Sequence, residues 1–153
     1  MSKRYYIPDE DDTARLMPLV NMIARVNRIY MAKELAGTGL YPGQEGVVEV
    51  LGADGELTPS EIALRLGVRP PTITKTISRL EEQGFVERTK SADDARQVHI
   101  RLTAEGDKLL KVVKKAMKRS EKRVLSGLKK KDRRELKTIL ADIARGLAYE
   151  SDA

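Results

Sequence analysis

The strongest constraint on what this chain can become is the stretch from Leu57 to Thr103, where signals for a helix, a tight turn, a second helix and a basic hairpin follow in that order. Thr58 precedes Pro59, Ser60 and Glu61. A threonine there caps free N–H groups, proline suits a first helical turn, and a glutamate three residues on reaches back to the cap. Ile62, Ala63 and Leu66 form the apolar stripe of this first helix, and Gly67 stands where a helix exits through a left-handed residue. Val68 is expected to plug the gap between the two helices.

The second helix is predicted from Pro70 to about Gln83, with Ile73, Ile77 and Leu80 at helical spacing on its core side. Its opposite face carries Pro71, Thr72, Thr74, Lys75, Ser78 and Arg79, with Arg69 just before it. Hydroxyl and cationic side chains of this kind reach phosphates and base edges when a helix enters the major groove. The same face could merely solvate a surface helix. The paired helix before it and the hairpin after it favour DNA.

Gly84 ends this helix, and Phe85 to Arg88 begin an extended run. Val98, His99, Ile100, Arg101 and Leu102 alternate apolar with polar, as a half-buried strand does. Between the runs lies a polar loop, Thr89 to Gln97, carrying Lys90, Asp93, Asp94 and Arg96. A hairpin with an arginine near its tip suits a minor groove, whose narrow form concentrates negative potential.

From Tyr41 to Gly106 the chain resembles the MarR-type transcriptional regulators. The residues that carry the resemblance are Tyr-Pro-Gly-Gln-Glu at 41–45, Gly-Glu-Leu-Thr at 55–58, Ile-Ala-Leu-Arg-Leu-Gly-Val at 62–68 and Arg-Leu-Glu-Glu-Gln-Gly-Phe-Val-Glu-Arg at 79–88. Asp94 and Arg96 form the Asp-x-Arg element, and Leu-Thr-Ala-Glu-Gly follows at 102–106. The resemblance implies that Arg96 enters the minor groove and that Asp94 holds it by an ion pair. Two positions depart from the pattern. The second helix begins with Arg69 and two prolines where the family has a serine or threonine cap, and Glu45 and Gly46 stand where it often has a large aromatic residue.

The rest of the composition narrows the choice. At 153 residues and 41% hydrophobic content the chain can build one real core. A net charge of +6, doubled in a dimer, adds a sequence-independent attraction to nucleic acid that falls with salt. With no cysteine there is no disulfide framework, thiolate metal site or thiol switch. The single histidine, His99, sits on the polar phase of a strand as an ordinary exposed residue. No nucleophile, carboxylate pair, phosphate loop or metal cluster occurs at usable spacing, so an enzyme is not expected, nor a cofactor. No run approaches the roughly 20 apolar residues of a membrane span, and the N-terminus lacks a signal-peptide apolar segment. A cytoplasmic protein without membrane contact is expected.

The flanks supply the apolar faces of three further helices. Leu16, Leu19, Val20, Ile23, Val26 and Tyr30 recur at helical steps, with a start or kink expected near Pro18 and an Asp-rich arm before it. Leu109, Val113, Met117, Val124 and Leu128 make a second stripe; Leu136, Ile139, Leu140, Ile143 and Leu147 make a third after a break at Gly127. Such faces exceed what a winged domain can cover, so a homodimer is expected. The basic run Lys129 to Lys131 with Arg133 and Arg134 is read as a solvated face without base contacts.

The predicted fold is therefore mainly α with a small β-wing, a winged helix-turn-helix flanked by dimerisation helices. Its expected division is an N-terminal arm and dimerisation helix over 1–36, the DNA-binding domain over 37–103 and C-terminal dimerisation helices over 104–153, in one compact unit. The resemblance implies two recognition helices about one DNA turn apart on an inverted repeat, with repression as the usual outcome. It also implies release by a small aromatic or anionic effector between the dimer base and the reading head. Met22, Arg25, Ile29, Tyr41 and Gln44 are the candidates to line that cleft, with Arg25 as a carboxylate partner. Two other readings stay open: an architectural DNA-binding protein with little sequence preference, and a winged helix that docks proteins instead of DNA.

Overall fold

The computed structural model describes residues 16–90 and 97–150, the side chains of 148–150 excepted. The element order is α1 (Leu16–Glu34), α2 (Gln44–Asp54), α3 (Pro59–Leu66), α4 (Pro70–Glu82), β1 (Val86–Lys90), β2 (Val98–Leu102), α5 (Ala104–Val124) and α6 (Lys130–Glu150). Mostly helical with one small antiparallel sheet, this is the winged-helix arrangement expected from the sequence.

Local chemistry sets most of these boundaries. Thr58 Oγ1 accepts from the Glu61 amide at 3.3 Å while the Glu61 carboxylate accepts from the Thr58 amide at 2.7 Å, a complete capping box that starts α3. Gly67 closes that helix at φ 62°, a left-handed conformation that costs other residues. The Val68 amide then returns to the Ala63 carbonyl at 3.0 Å. The Val68 side chain does not plug the helix gap as expected: it is 41% exposed, because the turn points it outward. Leu66 packs inward instead, and a Cβ added to Gly46 would meet its Cδ2 at 3.2 Å, so Leu66 occupies the space beside Gly46.

The sheet is the hairpin, with Val86 opposite Leu102 and Lys90 opposite Val98. Leu57 adds an isolated bridge to Ile100, giving and receiving backbone hydrogen bonds at 3.1 and 2.8 Å. The alternation in β2 is incomplete. Ile100 is buried and Leu102 partly so, but Val98, opposite Lys90 at the start of β2, is exposed, and His99 is half-buried rather than fully exposed.

One core joins these elements. Val47, Val48 and Leu51 from α2 meet Ile62, Ile73, Ile77 and Leu80 from the helix-turn-helix, Val86 and Ile100 from the hairpin, and Leu109, Val113 and Ala116 from α5. Gly106 permits the close approach of α5 to the hairpin, since a Cβ there would lie 2.0 Å from the Phe85 carbonyl oxygen. From the other side α1 contributes Met31 and the residue just after the helix, Leu35, and the Ser120 hydroxyl of α5 bonds the Asn27 side-chain oxygen at 2.6 Å. The stripe on α5 runs through Leu109, Val113, Ala116 and Ser120, so Val124 and Leu128 fall outside the buried line.

α6 behaves differently. None of its described residues is buried, and Ile139, Leu140, Ile143 and Leu147 are at least half exposed. Arg133 at its start closes the preceding turn, donating to the Leu125 and Leu128 carbonyls at 2.8 and 3.2 Å. The basic run therefore includes a capping residue.

Candidate nucleic-acid interface

The α3–α4 pair leaves one side of α4 uncovered. Ile73, Ile77 and Leu80 are buried, and their spacing turns Pro71, Thr72, Thr74, Lys75, Ser78 and Arg79 to the opposite side. Arg69, Pro71, Thr72, Thr74, Lys75 and Arg79 are exposed. Ser78 is half-buried and turned toward the hairpin, where Arg88 donates to its hydroxyl at 3.4 Å. The same Arg88 pairs with Glu81 at 2.9 Å, tying β1 to α4.

The start of α4 departs from an ordinary anion-binding helix terminus. Arg69 is the N-cap, with an extended backbone and no side-chain cap bond, and Pro70 and Pro71 have no N–H to offer. Two of the donors that a helix N-terminus normally aims at a phosphate are missing. Any phosphate contact there would fall to side chains, and Arg69 and Lys75 are the exposed cations nearest that end of the helix. The Thr74 hydroxyl donates to the Pro70 carbonyl at 3.1 Å, which leaves its oxygen lone pairs facing outward as acceptors.

The hairpin stands beside this face. Lys90 is exposed at the end of β1, and Arg101 at mid-strand is held by Glu87 at 2.7 Å and Glu56 at 3.5 Å. The hydrogen bond and charge of Glu87 raise the Arg101 guanidinium above its ordinary, already high, value. Arg88 and Arg101 were not singled out by the sequence pattern; their signal is a cation opposite an acidic residue across the hairpin or one helix away. Asp94 and Arg96 lie outside the described residues.

Beside the reading head, α1 and the loop to α2 form a half-open cavity of about 570 Å³ lined by Arg28, Met31, Leu35, Leu40, Tyr41 and Glu45 among others. Of the five residues expected to line a cleft, Tyr41 does so. Met22 and Arg25 stand one to two turns earlier on α1, Ile29 lies within the lined span but does not line the cavity, and the cation at the cavity is Arg28. Gln44 is buried beneath the loop, its carboxamide accepting from the Tyr41 amide at 2.8 Å and donating to Gln83 at 3.0 Å. Neither a cluster of three or more His, Cys, Asp and Glu side chains nor a helix long and apolar enough to cross a membrane occurs among the described residues.

Residues 40–98 match the model of the MarR family. The chain is 33% identical over 118 residues to the uncharacterized HTH-type transcriptional regulator YwoH of Bacillus subtilis (strain 168), covering 77% of this chain and 85% of YwoH. It is 33% identical over 122 residues to the HTH-type transcriptional repressor MdtR of the same organism, covering 80% of this chain and 77% of MdtR. In three dimensions it is similar to a mutant MarR from E. coli solved in complex with operator DNA. That match has a TM-score of 0.76 at 20% identity, over 82% of this chain and 91% of the other.

Proposed function

Because this chain belongs to the MarR family it is a DNA-binding transcription regulator rather than an enzyme, and we propose that it is a homodimeric repressor of an inverted-repeat operator, released by a small ligand. The recognition helix α4 enters the major groove. Arg69, Pro71, Thr72, Thr74 and Lys75 face the duplex, Ser78 and Arg79 flank them, and Lys90, Asp94 and Arg96 of the hairpin reach the minor groove. It works in the cytoplasm, where the DNA is. The observation that carries this reading is the exposed cation and hydroxyl face of α4, held by α3 on one side and by the Arg88–Glu81 pair on the other. The E. coli MarR complex with operator DNA and the repressor MdtR support the same mode for a chain of this fold.

The dimer is assigned to the division made from the sequence: residues 1–36 and 104–153 associate, and 37–103 read DNA. Support comes from the apolar side chains left exposed on α1 and α6, including Leu16 at 68% and Leu147 at 63%. Each such side chain contributes about 1.5–3 kcal/mol when fully buried, so a second copy stabilises the pair by far more than scattered surface apolars require. The effector site is assigned to the cavity at Tyr41. Its volume lies within the roughly 300–1,000 Å³ of small-molecule sites, and Arg28 and Tyr41 suit an aromatic anion. Met22, Arg25 and Ile29 would extend it along α1, and Gln44 supports it from below.

Selection of bound sequences from a random duplex pool at near-physiological salt tests the reading. An inverted repeat is the expected product; bound but unenriched DNA would instead make the protein architectural. On the selected operator, Arg96→Ala should weaken binding by about 1–3 kcal/mol without lowering the melting temperature. Unchanged affinity would remove the hairpin tip from the interface.

A further inference from the structure

Gln44 is a neutral polar side chain buried to 2% exposure at the first turn of α2, a place where an unpaired carboxamide destabilises a fold. Its pairing is a relay. The Tyr41 amide donates to Gln44 Oε1 at 2.8 Å, Gln44 Nε2 donates to Gln83 Oε1 at 3.0 Å, and Gln83 Nε2 donates to the Gly39 carbonyl at 2.6 Å. Gln83 follows the last residue of α4, and one turn earlier the Arg79 guanidinium lies over the Tyr41 ring, 5.8 Å from its centroid. The C-terminal end of the recognition helix is thus fastened at two points to the segment Gly39–Tyr41. That segment is also a wall of the cavity, which Gly39, Leu40 and Tyr41 line.

We propose that Gln44 and Gln83 are positioning residues forming a latch that sets the reading angle of α4, and that an occupant of the cavity weakens DNA binding by opening it. The proposal rests on reading that cavity as the effector site. A hydrogen bond weakens steeply beyond about 3.2 Å, so displacing the Gly39 carbonyl by an ångström breaks the shortest link. Opening strips the Gln83 carboxamide of its Gly39 acceptor and takes Tyr41 from beneath Arg79, so latched and open arrangements are discrete states. A helix of 13 residues is roughly 20 Å long, and a tilt of about 5° at Gln83 moves its DNA-facing end by more than an ångström. Such a tilt takes Thr72 and Lys75 out of register with base edges. An occupant that favours the open state lowers operator affinity, and the operator lowers affinity for the occupant by the same factor.

The chain has no cysteine, so Ala32→Cys in the cavity lining provides a unique attachment point for N-phenylmaleimide as a tethered occupant of the full-length protein. Labelling is expected to weaken binding to the selected operator roughly 5- to 100-fold. In the Gln83→Met background, which keeps side-chain length but removes both hydrogen bonds, labelling should change affinity by less than about twofold. No effect of labelling on the otherwise natural chain overturns the effector reading of the cavity and the relay with it. A full effect that persists in Gln83→Met overturns the latch alone. The side-chain amide resonances of Gln44 and Gln83 in 15N-labelled protein give a readout that needs no DNA. They should shift on labelling, and unmoved resonances overturn the latch even where Gln83→Met binds no operator.

Discussion

The winged-helix part and the helical base are finished to different degrees within one chain. From α2 to β2 every helix turns its apolar face onto a neighbour: Val47, Val48, Ile62, Leu80 and Ile100 are completely buried, and Thr58 and Gly67 close α3 without outside help. In the base, α1 buries Met31 near its C-terminal end but exposes Leu16, Met17, Val20 and Ile23, and α6 buries nothing among its described residues. α5 belongs to both parts, contributing Leu109, Val113 and Ala116 to the core. The reading head covers its apolar faces within one chain, partly with α5, whereas the base leaves apolar side chains of α1 and α6 exposed. The proposed dimer would cover those faces with a second copy.

The most severe way to break the comparison is to charge the base. Leu140→Asp with Ile143→Asp should leave the helical circular dichroism of the winged part intact while converting the protein to monomers in sedimentation. Operator affinity should fall at least about 100-fold as two tethered half-site contacts become one. A stable dimer carrying both aspartates would show that these faces are not the interface.

Deleting apolar volume inside the reading head should act in another way. Ile77→Ala removes a side chain 1% exposed and should cost about 2–5 kcal/mol in denaturant unfolding. Unlike the change in the base, its effect on the melting of the reading head should not depend on protein concentration. Gly106→Ala, which drives a methyl group onto the Phe85 carbonyl, should cost about 1–3 kcal/mol. Concentration-dependent losses for either would mean that the head is not self-contained.

What the sequence made legible follows the same division. α3 starts after Thr58, α4 starts at Pro70 and β2 spans Val98–Leu102, all as the residues dictated, because caps, prolines and alternation act within a few positions. α4 stops at Glu82, within a residue of its expected end. Val68 was misplaced because the way two helices cross decides which side of the turn is covered. The cleft was placed on Met22 and Arg25, a turn or more before the cavity at Arg28, Met31 and Leu35, and on Ile29, which lies within that span without lining it. An amphipathic pattern fixes the apolar face of α1 but not the point along it where the loop to α2 folds back. Gln83 had no local signal at all, for its partners Gln44 and Gly39 are 39 and 44 residues away. The one hint was a glutamine set between Gly43 and the apolar run of α2.

The finest test of a self-closed reading head is its own helix cap. Thr58 donates to Glu61 through both its backbone N–H and its hydroxyl, at 2.7 and 2.9 Å, and these bonds hold the carboxyl below the ordinary glutamate range. A carboxylate whose pKa is lowered by folding stabilises the native state above its unfolded pKa, and that contribution disappears as pH falls through the folded value. Thr58→Ala keeps the backbone donor but removes the hydroxyl, so it should lower stability at neutral pH by roughly 0.5–2 kcal/mol. It should also make the loss of stability between about pH 5 and 3 shallower than in the natural chain. Because Glu61 is exposed, the difference in slope will be small and best read from paired melts at several pH values. Parallel pH profiles would mean that the hydroxyl holds the helix start without favouring the ionised carboxyl, and the head would then owe its acid sensitivity to another group.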